Sequence, residues 1–292
     1  MNGIAVVCRR VVHIYRVEGN DVVALSGVDL DIPPGSTVAL VGPSGSGKST
    51  LIALLGGLMR PSAGRVQVGL VDLGKAADTE LARMRGTDIG VVLQGAARNL
   101  LPHATLAANM WLAQRRAAKV RPADTEPAER ILGLVGLGGF GEARVGELPP
   151  GAQQRAALAI GMAASPGLLL VDEPTSRLDR SARDEVLDAL ETVNRERGTT
   201  IVVVTHDPEV GARLGRAITI RDGRVGAEGR DGQEFAVVAG DGTVQLPPAM
   251  LENYPPGTLL AVENVDGQVV MVSATGATSS AATHAPVGDG TP

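Results

Sequence analysis

Aromatic residues are scarce in this chain of 292 residues and make up only 2% of it. Hydrophobic residues of all kinds nevertheless account for 44%, so the core must be packed from Ala, Val, Leu and Ile. Aliphatic interiors of this kind suit strands and helices that pack together. The composition therefore favours an α/β fold, and the length suggests one large domain or one domain with a small appendage.

Cysteine is nearly absent, since Cys8 is the only one in the sequence. A single cysteine excludes an intramolecular disulfide and favours a reducing compartment. Cys8 follows a short apolar run at residues 4–7, so we expect it to be a buried structural thiol.

Long apolar runs are also missing, because no stretch approaches the roughly 18 uncharged residues that cross a bilayer. Arg9 and Arg10 follow the first apolar run instead of preceding it, which is the reverse of a secretory signal. We therefore expect a cytoplasmic protein. If it serves transport, another chain must supply the path through the membrane.

The net charge of -5 gives the chain no overall attraction for nucleic acid or anionic lipid. Such partners would need a local basic patch. We expect no nucleic-acid partner.

Short apolar runs separated by helical stretches recur along most of the chain. We expect strands at residues 11–14, 22–32, 38–41, 66–71, 89–93, 168–171 and 201–204. Residues 48–58 are good helix formers, and the apolar pattern turns helical between Gly95 and Gly146, around residues 106–117 and 128–135. This alternation predicts a parallel or mixed sheet with a helical insertion.

The composition changes after Gly229, where Gly, Asp and Pro separate short apolar runs. We expect a small β domain at residues 231–273, with strands at 235–239, 244–246 and 269–272. Residues 274–292 are Ala, Thr, Ser, Gly and Pro without periodicity. Such a composition buries too little surface to order itself, so we expect a disordered tail.

A phosphate-binding loop (P-loop) pattern lies between the predicted strand at 38–41 and the predicted helix at 48–58. Its glycines allow backbone N–H groups to surround phosphate oxygens, Lys48 supplies positive charge, and Ser49 offers a hydroxyl ligand to Mg²⁺. An ordinary Gly/Ser turn is the alternative, which the strand and helix on either side disfavour. The predicted nucleotide-binding residues here are Gly42, Pro43, Ser44, Gly45, Ser46, Gly47, Lys48, Ser49 and Thr50.

Two acids end the apolar run at residues 168–171. Ligands bind at the carboxyl ends of strands in open α/β sheets, so this pair is placed to face the P-loop. We expect Asp172 to hold magnesium and Glu173 to accept a proton from the attacking water. ATP and Mg²⁺ are therefore the predicted ligands.

Residues 8–230 resemble the nucleotide-binding domain of ABC transporters, a P-loop NTPase with a RecA-like core, an antiparallel β subdomain and a helical subdomain. The resemblance assigns residues 1–230 to this domain, with the helical subdomain at about 95–165. Gln94 resembles the Q-loop glutamine, which implies a role in catalysis and at the metal. His206 resembles the switch histidine, and Asp179 ends a segment similar to the D-loop. Tyr15 matches the aromatic residue that stacks on adenine, although a core tyrosine is the alternative.

Several short sequence segments resemble those of a narrower group, the ATP-binding subunits for lipoprotein release and macrolide export. They begin at Asn99, Glu173, Thr205 and Arg221. The resemblance implies an ATPase that closes and opens as a dimer and drives a separate transmembrane permease. It also implies attachment to the inner face of the membrane through that permease, with contacts near residues 94–111.

The signature motif of the family, Leu-Ser-Gly-Gly-Gln, is altered in this chain. The aligned residues are Leu148, Pro149, Pro150, Gly151 and Ala152, so three of the five positions differ. In the family this segment caps the terminal phosphate of the partner subunit. Prolines are tolerated in the first turn of a helix, so we expect a helix at 152–164 with weakened chemistry at its start.

The altered signature motif is compatible with two hypotheses about the dimer. The chain is either one half of an asymmetric heterodimer or a homodimer that hydrolyses ATP slowly. A regulatory or scaffolding ATP switch is the rival in another class. A DNA-maintenance ABC protein is a third, which the short interval between Lys48 and Leu148 disfavours.

Residues 235–273 resemble the swapped-hairpin domain of AbrB-like regulators. That domain interlocks between two chains and often binds DNA. This segment contains acids but no lysine or arginine, so sequence-independent DNA affinity is not expected. A role in dimerisation or docking is the favoured reading, with an inert β-hairpin as the alternative.

Overall fold

The protein is described by a computed structural model, which covers residues 3–17, 19–122, 125–230, 233–246, 248–255, 257–266 and 268–273. The chain divides into two compact units, Met1–Gln245 and Leu246–Pro292. The predicted tail at 274–292 lies outside the described residues.

The helices of the first unit are α1 (Lys48–Leu55), α2 (Asp78–Thr87), α3 (Leu106–Val120), α4 (Ala128–Leu134), α5 (Pro150–Gly161), α6 (Arg180–Arg197) and α7 (Pro208–Arg213). They alternate with strands along the unit, except that α3, α4 and α5 follow one another without a strand among the described residues between them. Single 3₁₀ turns lie at Ala96–Arg98 and Val145–Glu147. The hydroxyl of Thr105 caps α3 by accepting a hydrogen bond from the N–H of Ala108, so the chain gives this helix a defined start.

The main sheet has the order β11-β10-β9-β3-β8-β7-β6. Its strands are β3 (Thr37–Val41), β6 (Ile89–Val92), β7 (Leu168–Asp172), β8 (Thr200–Thr205), β9 (Arg216–Arg221), β10 (Arg224–Arg230) and β11 (Gln233–Ala236). The five strands from β9 to β6 are parallel, while β10 and β11 add an antiparallel edge. The carboxyl ends of β3, β7 and β8 therefore lie side by side.

Two hydrophobic cores lie on the two faces of this sheet. In β7, Leu169 and Val171 belong to the core shared with α5 and α6, whereas Leu168 and Leu170 belong to the core shared with α1. Both faces are covered, which is why these strands appear in the sequence as unbroken apolar runs.

A second, antiparallel sheet has the order β2-β1-β4-β5, formed by β1 (Val6–Val17), β2 (Asn20–Ile32), β4 (Ala63–Val68) and β5 (Val71–Asp72). The strand β1 begins earlier than the predicted 11–14. A bulge at Arg10, whose φ is 48°, interrupts the alternation, so Cys8 and Val11 both face the core. The bulge breaks the two-residue alternation of buried and exposed side chains. The sequence pattern therefore did not indicate the first half of this strand.

The boundary between the two units follows Gln245, whereas the sequence predicted it after residue 230. The strand β11 pairs antiparallel with β10, with Arg230 opposite Gln233, so it extends the main sheet. The expected strand at 244–246 is reduced to a single bridge between Val238 and Val244.

The second unit contains the short helix α8 (Pro248–Leu251) and a hairpin of β12 (Leu260–Val265) and β13 (Gln268–Ser273). Val262 and Val269 in this hairpin are 64% and 69% exposed. The AbrB-like resemblance of this region stays a hypothesis.

Candidate functional site

The loop at residues 42–47 joins the end of β3 to the start of α1. Gly42, Gly45 and Gly47 have φ values of 146°, 80° and 98°, which L-residues rarely adopt. A Cβ at Gly47 would lie 2.4 Å from the carbonyl oxygen of Ala24, and one at Gly42 would lie 2.1 Å from that of Ile220. Both positions therefore require glycine, and the resulting backbone suits an anion-binding loop.

Lys48 is buried at the first turn of α1. Its ammonium group donates to the carbonyl oxygens of Gly42 at 2.8 Å and Pro43 at 2.7 Å. Burial lowers the pKa of Lys48, while the charges of Glu173 and Asp172 oppose that shift. The lysine predicted from the P-loop pattern thus lies within electrostatic reach of both predicted carboxylates.

Asp172 ends β7 and fits a magnesium site. Burial, followed by the charge of Glu173, raises the pKa of Asp172, and a hydrogen bond from the Ser49 hydroxyl opposes the shift. Its Oδ1 atom is buried with no hydrogen-bond partner in the described part of the chain. Magnesium at nucleotide sites takes one or two protein oxygens with phosphate and water, which Ser49 and Asp172 match.

Glu173 has φ 48°, a strained value for a residue with a side chain. Its N–H donates to the carbonyl oxygen of Val204 at 2.9 Å, and its own carbonyl accepts from the Ser176 hydroxyl at 3.0 Å. These contacts hold the carboxylate at the end of the sheet, where Oε1 lies 2.9 Å from Nδ1 of His206. The Glu173 side chain is 11% exposed and that of His206 is 63% exposed, so the acid is sheltered and the imidazole is accessible.

Tyr15 lies on β1 beside the first turn of α1. Its hydroxyl is 3.2 Å from that of Thr50 and 3.6 Å from the sulfur of Met59. The ring of His13 packs edge-on against it, with centroids 4.8 Å apart and an interplanar angle of 82°. The aromatic ring predicted to meet adenine is therefore next to the phosphate loop and partly exposed.

Gln94 lies two residues beyond β6 and is exposed. Within the described ranges, no hydrogen bond joins Gln94 to Asp172 or Glu173. Its loop is closed by Asn99, whose Oδ1 accepts from the N–H of Leu93 at 2.9 Å and whose Nδ2 donates to the Leu93 carbonyl at 2.8 Å.

Arg98 also lies in this loop, and no motif in the sequence marks it as a site residue. Its positive charge lowers the pKa of Asp172 and opposes the effect of burial. A lone arginine in a loop gives no motif signal, so only the fold could place it near the carboxylate.

The altered signature segment forms the start of α5. Pro149 caps the helix and Pro150 is its first residue, so neither offers an N–H or a hydroxyl there. The side chain of Gln153 donates to the carbonyl oxygen of Leu148 at 2.8 Å, which fixes the turn. A Cβ at Gly151 would lie 2.8 Å from that of Ala182, so α5 and α6 approach closely here. Among the described residues, no hydrogen bond joins this segment to residues 42–50.

Asp179, predicted as the D-loop residue, begins α6. Its carboxylate accepts a hydrogen bond from the N–H of Ala182 at 2.9 Å, which makes it the N-cap of the helix. The segment between Glu173 and Asp179 is therefore anchored at both ends.

Across the ranges that the structure describes, no helix is long and apolar enough to span a bilayer. The same residues contain no cluster of three or more His, Cys, Asp and Glu side chains that could hold a metal ion.

A family model described as "ABC transporter" matches residues 25–176. A second model, described as "AAA domain, putative AbiEii toxin, Type IV TA system", matches residues 142–212. The first match covers more than half of the chain and includes the P-loop, Asp172 and Glu173.

Similar proteins include the "Lipoprotein-releasing system ATP-binding protein LolD" of Geobacter metallireducens, 43% identical over 70% of this chain and 90% of that protein. The protein of the same name from Anaeromyxobacter dehalogenans is 44% identical over 70% of this chain and 85% of its own length. The "Macrolide export ATP-binding/permease protein MacB" of Rhodopirellula baltica is 40% identical over 74% of this chain but only 32% of its own length.

A solved structure of the ATP-binding cassette MJ0796, a dimer in a post-hydrolysis state bound to ADP and Pi, is also similar. It has a TM-score of 0.68 and 32% identity, and the match covers 79% of this chain and all of that one. A second dimeric structure of MJ0796 has a TM-score of 0.67.

Proposed function

The chain belongs to the ABC transporter family, and on that premise we propose that it binds Mg-ATP between residues 42–50 and the carboxylates of Asp172 and Glu173. It is the ATP-binding subunit of an ABC transporter and an ATPase. The observation that carries the proposed site is the convergence of Lys48, Asp172, Glu173 and His206 at the carboxyl ends of β3, β7 and β8.

The nucleotide is held in three places. Backbone N–H groups of the P-loop and the Lys48 ammonium grip the phosphates, and the Tyr15 ring stacks on adenine. The Ser49 hydroxyl and the Asp172 carboxylate hold magnesium, which neutralises phosphate charge when bound. Gln94 joins them if its loop closes towards the site.

Glu173 is the general base in this proposal. A carboxylate that is nearly buried and fixed through its own backbone is suited to accept a proton from a water molecule aligned with the terminal phosphate. His206 contacts Glu173 through Nδ1, so its accessible face is free to contact that phosphate.

The working unit in this proposal is an asymmetric dimer with a second ABC ATPase. The P-loop, Asp172 and Glu173 are complete, whereas Pro149 and Pro150 at the start of α5 leave the signature segment without two of its backbone N–H groups and without its serine hydroxyl. A partner with an ordinary signature would complete the site of this chain. A slowly hydrolysing homodimer that acts as a regulatory switch is the second candidate, and the same two prolines favour it.

The permease is proposed to contact the surface near residues 94–111. Leu101 and Trp111 are 52% and 64% exposed there, and the guanidinium of Arg115 lies 5.7 Å from the Trp111 ring centroid. This contact would place the chain at the inner face of the membrane. Its relatives are named for both lipoprotein release and macrolide export. These names indicate a class of transporter and do not specify a single cargo.

Titration calorimetry with ATP tests the nucleotide site directly. We expect wild-type protein to bind with magnesium present and to bind much more weakly with excess EDTA. Lys48→Ala should abolish binding, whereas Lys75→Ala, a change of the same kind at an exposed site, should leave it unchanged. Equal affinity in all four measurements would refute the proposed site.

A further inference from the structure

Arg183 lies in the first turn of α6 and reaches the chain segment that carries His206. Its Nη1 atom is 2.9 Å from Oε2 of Glu209 and 3.3 Å from Oδ2 of Asp207. The Arg183 side chain is only 19% exposed, so this is a partly sheltered contact between α6 and the start of α7.

Asp207 is fixed by more than this ion pair. Its Oδ1 accepts a hydrogen bond from the N–H of Glu209 at 2.9 Å and caps α7, while its own N–H donates to the Thr205 hydroxyl at 3.0 Å. The backbone on both sides of His206 is thereby held, and Arg183 links this held segment to α6.

These contacts form a closed ring that begins and ends at Glu173. From Glu173 the chain runs through residues 174–179 to the N-cap Asp179, and the N–H of Arg183 donates to the Asp179 carbonyl at 2.9 Å. The Arg183 side chain then contacts Asp207, the neighbour of His206, and His206 returns to Glu173.

We propose that Arg183 is a positioning residue that sets the contact between His206 and Glu173 and transmits movement of residues 174–179 to His206. Arginine suits this task because its planar guanidinium is always charged, and here its Nη1 atom contacts both carboxylates at once. The consequence for hydrolysis rests on the roles proposed above for Glu173 and His206, but the positioning itself does not.

Arg213 provides a matched control. It lies at the end of α7 and its guanidinium pairs with Asp184, Asp188 and Glu191 of α6. It therefore joins the same two helices as Arg183 without touching Asp207 or Glu209 within the described residues. A general effect of helix packing would appear in both Arg183→Ala and Arg213→Ala, whereas positioning of His206 would appear only in the first.

Histidine-ring NMR of the full chain without nucleotide tests the proposal independently of turnover. The sequence has only four histidines, so His206 can be assigned from the signal that His206→Asn removes. In Arg183→Ala we expect the His206 signal to move most of the way to its position in Glu173→Gln. Arg183→Lys should move it less, and Arg213→Ala should leave it in place. The buried His13 reports whether each variant is folded.

An unchanged His206 signal in Arg183→Ala would overturn the proposal, and so would an equal change in Arg213→Ala. In an assembly that hydrolyses ATP, Arg183→Ala should lower kcat about 10-fold with KM little changed. A catalytic group misplaced by 1 Å can lower the rate roughly 100-fold, so a smaller shift of His206 would account for this loss. Failure of that assembly to hydrolyse ATP would count against the proposed function and leave the NMR test intact.

Discussion

The hydroxyl of Tyr15 lies 3.2 Å from that of Thr50. This contact ties β1 of the antiparallel sheet to the first turn of α1, so the ring and the phosphate loop are held at a fixed separation. The covalent structure of a nucleotide likewise limits the distance between its base and its triphosphate. The antiparallel sheet therefore helps to place the Tyr15 ring within reach of the base of a nucleotide in the proposed site.

Replacement of Tyr15 separates stacking from this hydrogen bond. Tyr15→Ala should weaken ATP binding by about 1–3 kcal/mol, the usual contribution of a base stacked on an aromatic ring. Tyr15→Phe keeps the ring and loses only the contacts of the hydroxyl with Thr50 and Met59, so it should bind ATP within about threefold of wild type. Calorimetry with ATP and with free triphosphate checks this, since triphosphate affinity should be the same in both variants. If Tyr15→Ala binds ATP as well as Tyr15→Phe does, the ring does not contact adenine.

Glu173→Gln should trap ATP. The amide cannot accept a proton from water, but it leaves the P-loop and the ligands for magnesium unchanged. We expect ATP to remain bound and the dimer to persist in size-exclusion chromatography, either alone or with a partner ATPase. Lys48→Ala should instead lose the nucleotide and stay monomeric. Equal ATP retention by the two variants would contradict both assignments.

Asp172→Asn should stabilise the free protein while it removes magnesium-dependent binding. Because the folded-state pKa of Asp172 is raised by burial and by Glu173, its ionised form costs stability above that pKa. The cost disappears as pH falls through the folded-state pKa, so the advantage of the variant should be present at neutral pH and shrink in acid. Denaturant unfolding without nucleotide at several pH values checks this. A variant that is less stable than wild type at neutral pH would contradict it.

The sequence predicted the parts of the site that carry their own pattern. Asp172 ends an apolar run that is buried on both faces, and Lys48 follows another such run through the glycine-rich loop. Asp172 could therefore be placed at the end of a strand, and Lys48 at the start of a helix, from the chain alone. Arg98 and Arg183 could not, because each is an isolated arginine whose partners lie far away in sequence. The pairing of β11 with β10 could not be predicted for a similar reason, since it depends on where the main sheet has a free edge.

Cys8 should be unreactive in the folded protein. It is fully buried, and burial raises the pKa of its thiol to about 12, so almost no thiolate is present at neutral pH. A maleimide dye should label the chain only after denaturant unfolds it, at the same midpoint that circular dichroism reports. Rapid labelling without denaturant would show that the sheet around β1 opens locally.

Restoration of the signature tests the asymmetric dimer. The triple change Pro149→Ser, Pro150→Gly and Ala152→Gln rebuilds the family motif around Leu148 and Gly151. Serine is a favoured N-cap, so the helix start should tolerate it. Each donor regained at the developing phosphate charge is worth about 10²- to 10³-fold in rate, so ATPase activity of this chain alone should rise by at least about 100-fold.

A matched control isolates the signature from the rest of the site. The same triple change combined with Glu173→Gln should show no gain, because hydrolysis would still lack its base. Pro149→Ala alone should gain much less than the triple change, since alanine restores one N–H group but no hydroxyl. If wild-type protein alone already hydrolyses ATP as fast as the triple variant, the prolines do not limit the reaction. The chain would then need no second ATPase, and the asymmetric dimer would have to be abandoned in favour of a homodimer.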